Sequence, residues 1–312
     1  MNSSREKELT ALIKGKEQEL GFDLFGIAPV RKLEEHEPVL RSWCSAGMNG
    51  GMAYLASEFE KRTDPAILFP GAKSVIVTGL NYYTNKKQGG NGVPVISRYA
   101  YGADYHNVII KRLSHILDFI RSNEPSVGGK AFVDSAPLLE KAWAREAGLG
   151  WPGRHSVLIN RDIGSLFFIG VLLIDISLEY DKPFVGEYCG ECRFCIDVCP
   201  TKAINENRTI DARRCIAYLT IEDRGPIPDE LAGKMEGRVF GCDKCQEVCP
   251  WNKLAKPHKI PEFNLSSDLE NMTREDWLSM TPERFNELFR KSPVKRAKFE
   301  GIMKNMKLIP EK

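Results

Sequence analysis

Two spacings of apolar residues recur along the first 180 positions, and together they predict alternating helices and strands. Apolar residues three or four positions apart predict amphipathic helices over residues 3–20 and 107–122. Short apolar runs bounded by glycine, proline or charged residues predict strands over residues 22–30, 73–80, 130–134, 157–160 and 166–176. We therefore expect an α/β or α+β fold with a mixed sheet.

Capping residues predict three further helices. Ser135 is expected to cap a helix that has Pro137 in its first turn and ends before Gly148. After residue 250, Thr273 and Thr281 each precede a helical stripe of apolar residues and are expected to be N-caps. The last fifty residues are therefore predicted to be helical.

The cysteines mark the clearest change in composition. Eight of the nine lie within residues 189–249, and Cys44 is the exception. We place a domain boundary near Asp181, just after the last long apolar run. The predicted organisation is an α/β domain at 1–180, a ferredoxin-like domain at 181–262 and a basic helical segment at 263–312.

The cysteine spacing is typical of two [4Fe–4S] clusters. The first run has the form C-x2-C-x2-C-x3-C-P and begins at Cys189, and the second run ends in Cys249-Pro250. In the bacterial ferredoxin pattern the fourth cysteine of a run binds the other cluster. One cluster is therefore assigned to Cys189, Cys192, Cys195 and Cys249. The second is assigned to Cys199, Cys215, Cys242 and Cys245.

Two Cys₄ zinc sites are the alternative, because zinc also uses C-x2-C pairs. The first cysteine run favours clusters, since it divides adjacent ligands between two centres. Cys44 stands apart from both runs and is expected to be a small buried residue without a ligand role. Two neighbouring clusters conduct electrons, so residues 1–180 are expected to use those electrons.

The net charge of +2 is unevenly distributed. Residues 290–312 contain eight basic and two acidic side chains, a net +6, and the rest of the chain sums to −4. Clustered Lys and Arg suit a phosphate backbone, although a solvated helix face explains the same charges. The start of the chain has no signal-peptide pattern, and the longest apolar run, 163–176, is too short for a bilayer. We therefore expect a cytoplasmic protein that does not span a membrane.

Candidate chemistry within residues 1–180 is less specific. No G-x-G-x-x-G follows a strand and no Walker A sequence is present, so nucleotide-cofactor binding lacks support. Asp134 follows a predicted strand, where a pKa raised by burial would make it a proton donor; capping of the next helix is the alternative. His106 and His155 lie in polar, glycine-containing segments, where hydrogen-bonded structural histidines are common. These residues alone indicate a reductase with an unidentified second cofactor.

Several segments resemble the epoxyqueuosine reductases. The cysteine region contains CGECRFCIDVCPTKAI at 189–204 and GCDKCQEVCPWN at 241–252. The same family is matched by ISRYAYGADYH at 96–106, FVDSAPLLEKAWA at 132–144 and SPVKRAKFEGIMKN at 292–305. The resemblance extends over residues 20–306 and is carried by several motifs at once.

The resemblance implies an oxidoreductase of queuosine biosynthesis. Members of the family reduce the epoxide of epoxyqueuosine at the wobble position of tRNA, using cobalamin and two [4Fe–4S] clusters. The implied fold is shared with reductive dehalogenases, with a cobalamin-binding α/β domain, here residues 1–180, before a ferredoxin-like domain. Electrons would pass through the clusters to cobalamin. The family's catalytic acid corresponds to Asp134, which would protonate the departing oxygen.

The family's corrinoid contacts are partly made by backbone groups. They correspond to Arg98, Asp134, His155, Leu158, Ile169, Ala217 and Asp243, with Asn81 as a further candidate. Lys141 stands where some members have arginine, which keeps the positive charge and loses the bidentate geometry. Longer members append helical repeats after the segment at 292–305, so in this sequence the basic tail is the candidate phosphate-binding patch.

The resemblance also implies partners. The substrates would be the tRNAs for Tyr, His, Asn and Asp, whose anticodons share a wobble guanine. Tyr99, Tyr101 and Tyr105 are expected either to stack an unpaired base or to pack in the core. An unidentified electron donor would reduce the clusters, and the protein is expected to be a monomer. The alternatives are a corrinoid reductase of small molecules such as organohalides, a non-catalytic electron carrier, and a binding module with structural clusters.

Overall fold

The structure of the protein is a computed structural model that describes residues 3–89 and 92–309. Its strands are β1 (Leu24–Pro29), β2 (Ser74–Asn81), β3 (Val95–Ile96), β4 (Gly129–Phe132), β5 (Trp151–Pro152), β6 (Leu158–Ile159), β7 (Phe167–Ile174) and β8 (Arg238–Phe240). Its helices up to residue 200 are α1 (Ser3–Glu19), α2 (Glu37–Ser45), α3 (Phe59–Thr63), α4 (Pro65–Leu68), α5 (Tyr105–Asn123), α6 (Glu140–Glu146) and α7 (Phe194–Asp197). The later helices are α8 (Ile216–Ile221), α9 (Asp229–Ala232), α10 (Lys244–Glu247), α11 (Ser267–Asn271), α12 (Arg274–Leu278), α13 (Pro282–Phe289) and α14 (Lys298–Met306).

The central sheet has the strand order β1-β2-β7-β4, and each neighbouring pair is antiparallel. β2 and β7 occupy the middle, where Val77 pairs with Val171, and all of β2 is buried. Strands with helices on both faces are apolar at nearly every position, which explains the two long apolar runs. The predicted helices over 3–20 and 107–122 and the five predicted strands correspond to α1, α5, β1, β2, β4, β6 and β7.

Helices cover both faces of this sheet. On one face α1 and α5 pack through Ile13, Ile109 and Leu113. On the other face α6 packs through Trp143, whose side chain is fully buried. The predicted α/β architecture is confirmed. The prediction of a mixed sheet is wrong for the central sheet, in which all neighbouring strands are antiparallel. Parallel pairing occurs separately, between β3 and β8, because apolar periodicity identifies a strand without specifying its direction.

The helix predicted after β4 begins later than Ser135. Asp134 has a φ of 57°, and tight turns run from Val133 to Ser135 and from Ala136 to Leu138. The first helical residue is therefore Glu140, and no side chain caps α6 at its N-cap position, Leu139. Ser135 is not a cap because the left-handed residue before it turns the chain away from the helix axis. Residues 133–139 form a loop, called the Asp134 loop below.

The C-terminal helices are positioned by the predicted caps. Thr273 forms a reciprocal capping box with Asp276, and the Thr281 hydroxyl accepts a hydrogen bond from the N–H of Arg284. These helices bury Trp277 in a core that also contains residues 96–101 and 239–240. The three predicted segments, 1–180, 181–262 and 263–312, therefore all contribute to this hydrophobic core. The borders between them stay a prediction. Among the residues that the structure describes, no helix has the length and apolar character needed to cross a membrane.

Candidate active site and cluster sites

Four cysteines surround one cavity. Cys189, Cys192, Cys195 and Cys249 line a space of about 250 Å³ together with His155. Cys249 comes from the second cysteine run, and its buried side chain packs near Trp151. Burial raises the pKa of Cys195 to about 11, with a further contribution from the other three thiols. The structure thus brings cysteines from both runs to one site.

The other four cysteines lie next to this group. Burial raises the pKa of the Cys245 thiol well above its usual range, and Cys195, Cys199, Cys215 and Cys242 raise it further. Cys215 occupies the N-cap position of α8, 27 residues before Cys242. Because Cys195 belongs to the first group, its effect on Cys245 means that the two groups adjoin.

The donor set fits iron–sulfur clusters. Eight thiols in two adjoining groups supply four ligands for each of two cubanes, and each group draws on both cysteine runs. Raised pKa values mean that thiols such as Cys195 and Cys242 hold their protons at neutral pH until iron displaces them. Cys44 lies elsewhere and is only partly buried, with its sulfur 3.6 Å from the carbonyl oxygen of Leu55. Cys44 is therefore not the buried residue that the sequence predicted.

His155 has an unpartnered nitrogen in the wall of the first cavity. Its ring is 3% exposed, and burial lowers its pKa to about 4, so the imidazole is neutral at pH 7. Nδ1 accepts a hydrogen bond from the N–H of Val157 at 3.2 Å, which leaves the proton on Nε2. Nε2 is buried without a hydrogen-bond partner among the described residues. A buried donor of this kind is suited to a bound group.

A buried polar network joins the sheet to the cysteine region. Asn252 accepts a hydrogen bond from the N–H of Ser165 at 2.6 Å and donates to the carbonyl oxygen of Gln246 at 2.7 Å. Gln246 in turn donates to the carbonyl oxygen of Ser165 at 2.8 Å. The network fixes the loop before β7 against α10, which contains Cys245 and is flanked in the sequence by Cys242 and Cys249. The geometry of the cluster sites is therefore tied to the sheet.

Asp134 lies beside the first turn of α5. Its side chain is 66% exposed, and Oδ2 accepts a hydrogen bond from the Tyr105 hydroxyl at 2.6 Å. Nε2 of His106 is 3.6 Å from the same oxygen. Tyr105 stacks on Phe168 with ring centroids 4.1 Å apart, which fixes the hydroxyl in place. The carboxylate does not cap α6, so the geometry favours a chemical role over the capping alternative.

The proton in this group resides on His106 rather than on Asp134. The interaction with His106 is the main cause that lowers the pKa of Asp134, and it outweighs burial with help from Tyr105 and Lys141. The expectation of a raised pKa for Asp134 is therefore wrong. Burial lowers the pKa of His106, but Asp104 and Asp134 together raise it to about 9. The ring is oriented by Asp104, whose Oδ1 is 2.7 Å from Nδ1.

Two ionisable residues at the start of α6 flank Asp134. Oε1 of Glu140 accepts a hydrogen bond from the backbone N–H of Asp134 at 2.5 Å. Burial, followed by the charge of Asp134, raises the pKa of Glu140 to about 8. Lys141 donates to the carbonyl oxygen of Ser156 at 2.8 Å, and burial lowers its pKa. The sequence analysis did not identify Glu140, because residues six positions apart are not neighbours in a helix or in a strand.

Arg98 and Asp243 form a pair beside the second cysteine group. The N–H of Arg98 donates to Oδ2 of Asp243 at 2.8 Å, and its guanidinium contacts Glu247 at 2.6 Å. Burial raises the pKa of Asp243, and Arg98 opposes this effect. Nε of Arg98 is buried and has no hydrogen-bond partner within the described ranges. Like His155, it offers an unused donor to a bound group.

The other corrinoid candidates offer fewer free hydrogen-bonding groups to a ligand. Asn81 is buried, and its carboxamide is already hydrogen-bonded at both ends to backbone groups at 2.8 Å. It therefore binds a ligand through its side chain only at the cost of one of these bonds. Leu158 is buried in β6, and Ile169 and Ala217 are partly buried in β7 and α8. Their side chains can make apolar contacts only.

The predicted stacking tyrosines are packing residues. Tyr101 is buried in the C-terminal core, Tyr99 packs against Phe168 and Phe240, and Tyr105 holds Asp134. The core interpretation is therefore favoured for all three. An exposed tyrosine that the sequence analysis missed, Tyr54, lies near the site. Burial raises its pKa, as do the charges of Glu222 and Asp134.

The basic tail is partly used inside the protein. Lys304 donates to the carbonyl oxygen of Leu219 in α8 and to those of Asp223 and Gly225 just after it, at 2.7 to 3.3 Å. Arg296 forms two hydrogen bonds with Glu222, which raise its pKa, and the charge of Asp134 contributes in the same direction. Exposed cations remain at Arg290, Lys291, Lys295, Lys298 and Lys307. Lys312 lies outside the described residues.

Comparison with known families agrees with this geometry. A family described as 4Fe-4S double cluster binding domain matches residues 188–252, which include all eight grouped cysteines. The fold and site thus define an iron–sulfur oxidoreductase with a double-cluster domain. A second family, described as epoxyqueuosine reductase QueG, DUF1730, matches residues 62–135.

Full-length relatives identify the family. An epoxyqueuosine reductase of Cellulophaga algicola is 46% identical over 307 residues, which cover 98% of this chain and 99% of that protein. The chain belongs to the epoxyqueuosine reductase family. A solved epoxyqueuosine reductase with an epoxyqueuosine-modified tRNA-Tyr stem loop has a TM-score of 0.90 and 28% identity, covering 97% of this chain and 80% of that one.

A further solved relative has a displaced catalytic loop. The epoxyqueuosine reductase of Bacillus subtilis, with its catalytic aspartate loop swung out of the active site, has a TM-score of 0.88. It is 26% identical and covers 97% of this chain and 81% of that chain. The relation of the fold to reductive dehalogenases stays a prediction.

Proposed function

We propose that this protein reduces the epoxide of epoxyqueuosine in tRNA to queuosine, using two [4Fe–4S] clusters and cobalamin. The observation that carries the proposal is the placement of Asp134. Its exposed carboxylate has a proton-bearing histidine beside it. Burial, followed by the charges of Asp134 and Asp243, raises the pKa of Tyr99, so Asp134 and the Arg98–Asp243 pair both lie near this buried tyrosine.

The proposed ligands follow the two groups described above. Cys189, Cys192, Cys195 and Cys249 would hold one cluster, and Cys199, Cys215, Cys242 and Cys245 the other. Because the groups adjoin, electrons would pass readily between the two clusters. Asp243 lies between Cys242 and Cys245 in the sequence and pairs with Arg98, so the Arg98 side of the proposed corrinoid site adjoins the second group. His155 lines the cavity of the first group.

The proposed corrinoid site uses donors that the protein leaves unpaired. Nε of Arg98 and Nε2 of His155 are buried and have no hydrogen-bond partner among residues 3–89 and 92–309, and corrinoid carboxamides are acceptors for such groups. Leu158, Ile169 and Ala217 would supply apolar or backbone contacts, and Asn81 a backbone contact. When bound, cobalamin would supply the low-valent cobalt chemistry that opens the epoxide.

The protein's own residues would manage the proton. Removal of the epoxide oxygen as water consumes two electrons and two protons, so a proton source must face the oxygen. At neutral pH the proton resides on His106, oriented by Asp104, and Asp134 is its anionic partner. Asp134 would deliver this proton to the departing oxygen and recover it from His106. Tyr105 keeps the carboxylate in position throughout.

Exposed cations support tRNA as the substrate. Lys291, Lys295 and Lys298 are exposed on the segment that also contacts Asp104, where Lys295 lies 3.6 Å from its carboxylate. A phosphate backbone would be attracted to these cations. The proposed substrates are the tRNAs for Tyr, His, Asn and Asp. The unidentified electron donor, the monomeric state and the cytoplasmic location stay predictions.

The proposal is tested by an anaerobic assay with reconstituted protein, cobalamin, a strong reductant and an epoxyqueuosine-containing stem loop. Mass spectrometry of the digested nucleosides should show the loss of one oxygen, abolished when cobalamin is omitted. Asp134→Asn keeps the shape and the left-handed backbone but removes the proton carrier, so turnover should fall at least about 100-fold. Asp118→Ala, which removes an exposed carboxylate of α5, should have no effect.

Other outcomes would support the alternatives. Retained clusters and corrinoid without epoxide reduction would favour a small-molecule reductase. Retained clusters without any corrinoid binding would favour an electron carrier. Clusters that resist reduction would favour a structural role.

A further inference from the structure

We infer that Glu140 is the positioning residue that holds Asp134 in its working conformation. This inference rests on the proposed function, since it assigns Glu140 a task only if Asp134 handles the proton. The contact that carries it is the 2.5 Å hydrogen bond from the Asp134 backbone N–H to Oε1 of Glu140.

Asp134 needs such a support because its backbone conformation is costly. A left-handed residue other than glycine costs about 1–2 kcal/mol, and β4 ends two residues earlier, so no ladder holds Asp134. The neighbouring tight turns involve Ser135 and Leu138 and leave the N–H of Asp134 to Glu140. Tyr105 holds the side chain, and Glu140 holds the backbone. Both are required to define the position of the carboxylate.

Glu140 is itself well anchored. It is the first residue of α6, three positions before Trp143, which is fully buried against the sheet. The helix therefore provides a fixed reference for the loop. With a pKa of about 8, raised mainly by burial, Glu140 is largely neutral at pH 7 and acts through its carbonyl oxygen as an acceptor. A glutamine offers the same acceptor at the same reach.

Two conservative variants separate acceptor position from acidity. Glu140→Gln keeps the acceptor in place and removes the ionisable group, and Glu140→Asp keeps the ionisable group and shortens its reach by one methylene. Steady-state reduction of the epoxyqueuosine stem loop would be measured with the reconstituted enzyme. Hydrogen–deuterium exchange of peptides spanning residues 133–139 would report the loop directly. Glu146→Asp, at the far end of α6 where the carboxylate pairs with Arg31, is the matched control.

We expect Glu140→Gln to retain kcat and loop exchange within about twofold of the unmodified enzyme. Glu140→Asp should lower kcat by about 10–100-fold, because small displacements of a catalytic group are costly, with KM changed less than about twofold. Its loop should exchange faster. The control should resemble the unmodified enzyme in both measurements.

Two results would overturn the inference. The first is an unchanged kcat and unchanged exchange in Glu140→Asp. The second is a loss of kcat in Glu140→Gln that equals or exceeds the loss in Glu140→Asp, because the position of the acceptor would then not account for the effect. If the unmodified enzyme fails to reduce the epoxide, the proposed function fails, and the exchange measurement still decides whether Glu140 holds the loop.

Discussion

Replacing Asp104 by asparagine should lower the pKa of His106 from about 9 to about 8. Oδ1 of Asp104 lies 2.7 Å from Nδ1 of His106, and this hydrogen bond gains from both charges when the imidazole is protonated. Hydrogen bonds to charged groups contribute about 1.5–3 kcal/mol, which corresponds to about one to two pKa units. The His106 side chain is 35% exposed, so solvent screening places the effect at the lower end.

Asparagine isolates this effect because it preserves the start of α5. Asp104 is the N-cap of α5, and its Oδ1 also accepts a hydrogen bond from the backbone N–H of His106 at 3.2 Å. Asparagine is an equally good N-cap, so the helix should remain intact. The variant therefore removes the charge that stabilises imidazolium, together with the ion pair between Asp104 and the exposed Lys295 at 3.6 Å.

Nuclear magnetic resonance of histidine labelled in the ring would measure the pKa. The protein has five histidines, and burial lowers the pKa of His36, His155 and His258. The resonance that titrates near pH 9 should be absent from His106→Gln, which assigns it. In Asp104→Asn the same resonance should titrate near pH 8.

The direction of the pH dependence follows from the raised pKa. His106 contributes to folding stability fully below its ordinary value of 6.5, and the contribution is lost as pH rises through about 9. The alkaline fall in catalytic rate should move in the same way, from near pH 9 to near pH 8 in Asp104→Asn. An unchanged titration in this variant, or no histidine titrating above pH 7.5 in the unmodified protein, would refute the reasoning.

Two further predictions concern stability and the clusters. Asn252→Ala should lower the free energy of unfolding, measured in urea, by about 2–4 kcal/mol, because it leaves the N–H of Ser165 and the carbonyl oxygen of Gln246 unpaired. The surface control Asn271→Ala should change this free energy by less than about 0.5 kcal/mol. Cys195→Ser should remove about half of the bound iron, because it deprives one of two cubanes of a ligand, and Cys44→Ser should leave the iron content unchanged. Equal effects in the members of either pair would contradict the corresponding assignment.

Much of the fold could be predicted because its signals are local. The apolar spacing that identified α1, α5 and the strands depends on residues within one or two turns of each other. The caps at Thr273 and Thr281 are equally local, since a hydroxyl binds an N–H three residues away. The prediction for Ser135 failed because the left-handed Asp134 before it redirects the chain. That conformation depends on Glu140, which no local pattern relates to it.

The sequence by itself determined the class of chemistry. The spacing of the cysteine runs specifies a double-cluster domain, because ligands within one run are only two or three residues apart and must meet at one centre. It also determined helices α1 and α5 and strands β1, β2, β4, β6 and β7. These properties are encoded in short stretches of chain and do not depend on distant neighbours.

Only the tertiary structure decided the state of the candidate active site. The pKa of Asp134 is lowered instead of raised because α5 brings His106 and Tyr105 to it from almost thirty residues away. Burial alone would have had the opposite effect. Protonation depends on the balance between burial and nearby charges, and both are properties of the packed molecule. The sequence identified Asp134 as the candidate carboxylate. The packing determines that the proton resides on the imidazole of His106.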